Sequence, residues 1–403
     1  MRRYFLKYGI WLEMVMLFFA GMYFLGNHFW SSPAMTQSEE EGEKDYIKWV
    51  EFDVPSAALK KAYELDVSTY EQDVHLNWIE LLAYLATSYG GDFSKYKAKD
   101  MEELAAQLTD KSTTMEALTA ERKHYAYYLE AYTAVLGGLV GEYEIETLVE
   151  ENTEKMNSSL TESPGAAKAP DKSAAEENDS TKAPDNDAAE DGGITEEPEE
   201  STVEKVWEKK YGLKAFNPIA RGYEYSDSDD FGNSRSYGYK RKHLGHDMFG
   251  QTGTPVIAIE SGYVEAIGWN KYGGWRLGIR SFDQKRYYYY AHLRQNFPYN
   301  KSLKEGSVVT AGDVIGYMGH TGYSETENVN NIKLTHLHWG LQLIFDESQK
   351  EGSSEIWVNC YELTKFLTQK RCTTVKDEST KEYSRVYQMK DPAVEEYLNA
   401  SDE

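Results

Sequence analysis

The residues of this chain best suited to chemistry begin with two imidazoles in Thr335-His336-Leu337-His338-Trp339-Gly340. Alternate side chains of an extended strand share a face, so His336 and His338 point one way while Leu337 and Trp339 point into a core. Such a pair standing alone is more often two solvated side chains than a site. The chain has 9 histidines, however, and His243, His246, His292, His320, His336 and His338 all fall in its later part. In Lys242-His243-Leu244-Gly245-His246-Asp247 the separation of His243 from Asp247 is even, which on an extended segment puts both on one face and turns His246 away. That pair plus one histidine of His336-Leu337-His338 makes an N,N,O ligand set. Zinc commonly takes three protein ligands in catalytic sites and keeps a fourth position for water. The other histidine of the pair, with His292 from Tyr290-Ala291-His292-Leu293, would then flank that water.

These residues have to be positioned by a fold, and the composition bounds it. A chain of 403 residues has room for two ordinary domains and connecting material. A formal charge of -24 argues against a nucleic-acid partner, because phosphate binding needs clustered Lys and Arg. The 32 tyrosines suit β-sheet surfaces or a binding groove. Cys360 and Cys372 have the wrong spacing for a redox Cys-x-x-Cys, which leaves a short disulfide loop or two buried thiols as the alternatives.

Five segments follow along the chain. Residues 1–30 place Arg2, Arg3 and Lys7 ahead of an apolar run of bilayer-spanning length, with acidic residues after it. This predicts a transmembrane signal-anchor with a cytoplasmic N-terminus and the remainder extracytoplasmic; a cleaved signal peptide is the runner-up. Residues 44–149 read as an all-α domain, a spacer or a partner-binding module. Leu76, Ile79, Leu82, Ala83 and Ala86 lie at helical spacing before Gly90-Gly91, with Asp73 as a candidate cap, and further helices are expected over Lys99–Asp110 and Thr114–Leu136. Residues 150–205 are rich in Ala, Pro, Asp and Glu, repeat Lys-Ala-Pro-Asp imperfectly, and read as a disordered acidic tether. Residues 207–371 alternate short apolar runs with turns, as in a mainly antiparallel β domain built as a small barrel or sandwich with a groove. The tail, 373–403, is polar and expected to be peripheral.

His243-Leu244-Gly245-His246-Asp247, then Ser261-Gly262-Tyr263-Val264, then Tyr290-Ala291-His292-Leu293, then Thr335-His336-Leu337-His338-Trp339 resembles, in order, the lysostaphin/LytM-type zinc metallopeptidases. The resemblance spans about 216–345, less than half the chain. It implies an antiparallel β core that cleaves peptidoglycan stem peptides or cross-bridges, with one Zn2+ held by His243, Asp247 and His338. His292 and His336 would be the catalytic histidines, and Tyr237 stands where relatives carry a tyrosine that stabilises the oxyanion. The stretch between Thr321-Gly322 and Thr335 is longer than in relatives and should reshape one groove wall. Some members of the family have lost the chemistry and act as scaffolds or activators of cell-wall or sporulation machinery; here all five positions are filled. The partners implied are peptidoglycan, a lipid bilayer at residues 1–30, and a possible protein partner for the helical segment.

Overall fold

The computed structural model of the protein describes residues 46–148, 205–236, 240–350, 352 and 354–401. The expected membrane segment at 1–30, Tyr237, and the acidic segment from 150 up to Lys205 lie outside the described residues. Among the described residues no helix is long and apolar enough to cross a membrane.

Among the described residues five helices come first: α1 (Ser56–Thr69), α2 (Trp78–Tyr89), α3 (Ala98–Thr109), α4 (Met115–Thr119) and α5 (Tyr125–Leu136). The cap of α2 is Asn77 rather than Asp73. Its side-chain oxygen accepts from the backbone N–H of Ile79 and Glu80 at 2.9 and 3.2 Å, satisfying donors that a helix start leaves orphaned. The helix ends at Gly90, whose φ of 67° is left-handed and costs glycine nothing. The single helix expected over Thr114–Leu136 is broken in two, with His124 at φ 72° between the pieces. After α5 the chain becomes a strand, β1 (Val140–Leu148), where helix was expected. It pairs antiparallel with β2 (Lys205–Leu213) from Val140↔Leu213 to Leu148↔Lys205.

The strands that build the site then follow in order: β3 (Ser226–Asp227), β4 (Ser234–Arg235), β5 (Arg241–Lys242), β6 (His246–Phe249), β7 (Pro255–Ile257), β8 (Gly262–Asn270), β9 (Gly274–Ser281), β10 (Arg286–Ala291), β11 (Val308–Val309), β12 (Val314–Tyr317), β13 (His336–Leu343) and β14 (Ile356–Val358). Helix α6 (Tyr361–Leu367), short strands β15 (Thr374–Lys376), β16 (Tyr383–Arg385) and β17 (Met389–Lys390), and helix α7 (Pro392–Ser401) complete the chain. The main sheet has eight strands in the order β11-β8-β9-β10-β13-β6-β3, with β14 also on β13. The path runs open from β11 to β3, so the expected barrel is an open antiparallel sheet.

The described residues from Ile47 onward form one compact unit. The segments that read as separate helical and β regions share a core in which Leu59, Leu82 and Val135 join Val264, Tyr288 and Leu341, and the tail's Met389 packs in a second cluster with Tyr143 and Phe216. Arg286 shows how they are joined. Its buried guanidinium meets Glu260 at 2.7 Å and Asp283 at 2.7 Å, and donates at 3.0 Å to the carbonyl of Ala134 in the last turn of α5. That carbonyl would otherwise be an orphan of the helix end. Gly138 is required beside them, since a Cβ there would sit 1.5 Å from Glu260 Oε1. The tail is structural rather than peripheral: β17 pairs with β1, and the buried Asp391 takes Lys214 at 2.8 Å and Ser261 at 2.6 Å. Cys360 and Cys372 are both buried free thiols.

Candidate active site

Strand β13 organises the site as its parity requires. Leu337 and Trp339 are buried with no exposure, while His338 faces a groove. Cross-strand register does the rest. His338 lies opposite Asp247 on β6 and Ala291 on β10, so three strands supply one row. Asp247 and His246 are neighbours on β6 and point to opposite faces. His246 turns to Asp227 at 2.9 Å, away from the groove.

His243 precedes β6 and is brought in by the turn at Leu244-Gly245. A Cβ on Gly245 would fall 2.6 Å from the His338 ring and 2.7 Å from the Trp339 carbonyl oxygen, so the backbone passes beneath His338 only because this residue has no side chain. The ligand atoms converge: His243 Nε2 is 3.0 Å from Asp247 Oδ1 and 2.9 Å from His338 Nδ1, and His338 Nδ1 is 2.9 Å from Asp247 Oδ1. Three donors sharing a tetrahedral zinc at ~2.0–2.1 Å would be spaced by roughly 3.3 Å, close to this triangle. His243 Nδ1 lies 3.2 Å from the Asp230 carbonyl oxygen, to which its N–H donates, leaving the Nε2 lone pair for the triangle. The residues present therefore fit a metal ion of this kind, and His243, Asp247 and His338 form the one such group among the described residues.

The surrounding charges hold the set in place. Arg235 bridges Asp230 at 2.5 Å and Asp247 at 3.2 Å. Burial pushes the Asp247 carboxyl upward, but the close approach of His243 and His338 outweighs it and keeps Asp247 far below the usual carboxylate range. Burial holds His338 below the ordinary imidazole value despite the attraction of Asp247, which favours the neutral form that ligates.

Two further histidines face this triangle. His336 Nδ1 is 2.8 Å from the Leu334 carbonyl oxygen and His292 Nδ1 is 3.0 Å from that of Thr321, so each N–H donates away from the groove and each Nε2 is left as an acceptor. Their ring centroids are 4.7 Å apart, and His336 Nε2 lies 3.7 Å from Asp247 Oδ1. His292 takes φ 61°, a left-handed conformation stabilised where its backbone N–H donates to Gly273 at 2.7 Å. Burial first, then the neighbouring His336 and His338, hold His292 well below the ordinary value, so it stays a neutral base. The groove in front has a volume of about 710 Å³. Arg241 stands on one wall against the rings of Tyr272 and Tyr323.

All five described residues singled out from the sequence thus meet at one place, and His320, tied at 2.8 Å to the Ile332 carbonyl oxygen, stays apart as a loop residue. Sequence reasoning missed Gly245, Asp230, Arg235 and the carbonyl of Thr321. Gly245, between a histidine and His246-Asp247, was the one with a readable signal.

An antiparallel sheet thus carries two histidines and an aspartate around a cation-sized triangle, with two more histidines held as acceptors beside it. The chain carries a domain of peptidase family M23, matched over residues 241–350, of the lysostaphin/LytM type. It is 39% identical over 130 residues to an L-Ala--D-Glu endopeptidase of Bacillus subtilis, covering 32% of this chain and 38% of that protein. It is 36% identical over 94 residues to the glycyl-glycine endopeptidase ALE-1 of Staphylococcus capitis, covering 23% of this chain and 25% of the relative. The catalytic domain of the antimicrobial peptidase lysostaphin from Staphylococcus simulans is 30% identical, covering 35% of this chain and 92% of that structure, with a TM-score of 0.27. The match to both curated relatives therefore spans well under half of their length.

Proposed function

We propose that the protein is a zinc metalloendopeptidase that hydrolyses peptide bonds of peptidoglycan, held by residues 1–30 in a membrane with its groove on the extracytoplasmic side. The observation that carries the reading is the ligand triangle of His243, Asp247 and His338 beside two histidines whose Nε2 atoms are free to accept a proton. Zinc supplies, when bound, a water whose pKa falls towards about 7 and polarisation of the scissile carbonyl. The chain's own residues do the remaining work. His336 and His292 take the proton of the attacking water and return it to the departing amine, and in their protonated form they hydrogen-bond the developing oxyanion. Thr321 and Leu334 hold both rings in the tautomer this needs. The open face of the sheet accommodates an extended peptide across β8, β9 and β10. Named relatives cut alanyl-glutamyl and glycyl-glycine bonds, which supports a peptide of the cell wall as substrate.

The test uses the full-length chain in detergent with purified cell walls. Peptides with new amino termini should be released with zinc, and mass spectrometry of them names the bond. Chelation or His338→Ala should abolish release, and release that survives both would refute the zinc reading. Extraction from membranes by detergent but not by high salt checks the anchor.

A further inference from the structure

The groove extends beyond the metal ligands along the sheet, and Arg276 stands in it without a counter-charge. Ala291 sits opposite His338, and the neighbouring β9–β10 register runs to Tyr290↔Leu277, the residue next to Arg276. Asp247, His338 and Ala291 form one row across three strands, and Arg276 stands on the fourth, β9, next to its end. Arg276 lines the groove together with His338, Tyr287 and Tyr289. Its Nη1 is buried and has no hydrogen-bond partner, and among the described residues no carboxylate forms an ion pair with it.

Most of the other charges lining the groove are already committed. Arg235 holds Asp230 and Asp247, Glu265 pairs with Lys350, and Glu355 accepts from Trp357 Nε1 at 2.7 Å. Arg241 donates to Tyr323 Oη at 3.0 Å, and Lys242 is exposed at the rim. Gly268 lies opposite Arg276 on β8 with open space above it, while the Tyr287 ring covers Gly278, so a ligand group approaches the guanidinium from the Gly268 side. An arginine that buries a donor without a partner costs free energy unless something else supplies the acceptor. A planar guanidinium suits a carboxylate, which it can bind through two parallel hydrogen bonds.

We propose that Arg276 is a specificity residue of the groove, binding a carboxylate of the peptide substrate near the bond to be cut. The inference rests on the peptidase reading above. Two strand spacings separate Arg276 from His338, roughly 10 Å. An extended peptide covers about 3.3–3.6 Å per residue, so the carboxylate lies within about three residues of the scissile bond. The substrate is then an acidic wall peptide rather than a neutral glycine bridge.

The experiment compares a wall tetrapeptide containing an alanyl-glutamyl bond, with the glutamyl α-carboxylate free or converted to the amide, and tetraglycine as neutral control. With the full-length zinc-loaded protein, kcat/KM should be about 10-fold or more higher for the acid than for the amide, the size of one charged hydrogen-bonding pair. Arg276→Gln should bring that ratio to within about twofold by losing rate on the acid alone, and Arg276→Lys should restore part of it. Equal cleavage of acid and amide by the native protein overturns the proposal, and this comparison needs no variant to fold. Calorimetric binding of the same peptides needs no turnover. Discrimination of acid from amide in binding without any cleavage keeps the carboxylate site and refutes the peptidase reading, while cleavage without discrimination does the reverse.

Discussion

Gly245→Ala tests whether the ligand triangle depends on a backbone passing beneath His338. The added methyl would sit 2.6 Å from two atoms of the His338 ring and 2.7 Å from the Trp339 carbonyl oxygen. Carbon atoms in contact rest at about 3.5–4.0 Å, so the overlap is about 1 Å on two sides. Trp339 is wholly buried and its carbonyl belongs to β13, leaving the imidazole as the part that yields. Turning it away removes one of three ligands. Overpacking of this kind costs about 1–3 kcal/mol, and disturbing the support of a metal ligand lowers affinity by about 10–100-fold. Competition against a chromophoric chelator reads zinc affinity, and urea unfolding of the metal-free protein reads stability. A zinc Kd unchanged from the native protein, with stability also unchanged, would show that the close approach does not constrain His338 and would refute the argument.

Two other perturbations probe the rest of the fold. Glu260→Gln leaves the Arg286 guanidinium buried against Tyr288 and the α5 carbonyls with half of its counter-charge gone; breaking a buried pair in this way costs about 3–5 kcal/mol, and a urea-unfolding loss below about 1 kcal/mol would contradict it. Lys370 is pulled by burial from 10.5 down to about 7, with its ammonium between the rings of Tyr143 and Phe216 at 4.0 and 4.6 Å. Between those two values the unfolded chain holds a proton that the folded chain has released, so this group makes stability rise with pH, by up to about 1.4 kcal/mol per unit. Thermal melts from pH 7 to 10 should therefore climb more steeply for the native protein than for Lys370→Met, and parallel curves would disprove the assignment.

Much of the site could be read from sequence because it obeys strand parity. His336 and His338 share a face of β13, and Asp247 and His246 oppose one another on β6, whatever the rest of the chain does. What could not be read depends on contacts between distant segments. Asp230 and Arg235 reach His243 and Asp247 from outside the main sheet, and Arg276 comes into the groove only through the packing of β9 beside β10 and β13. The helical reading of 44–149 failed where the pattern is local but the partner is not. Val140–Leu148 is a strand because Lys205–Leu213 pairs with it, and that partner lies beyond an acidic segment that offers no clue to it. The tail misled for the same reason: Asp391 looks like a solvated acid until Lys214 and Ser261 are placed around it. In the opposite case, His124 looked like a residue within one helix, and its backbone conformation is what divides α4 from α5.

The pairing of Leu148 with Lys205 changes what the acidic stretch between them can do. A leash works by separating its two ends, and its length then sets how far the load can roam. Here the point of departure and the point of return are cross-strand neighbours, about 5 Å apart. Lengthening or shortening such an excursion alters the entropy of closing it only slowly, as the logarithm of its length. The acidic stretch can vary in length and charge without moving the groove at all.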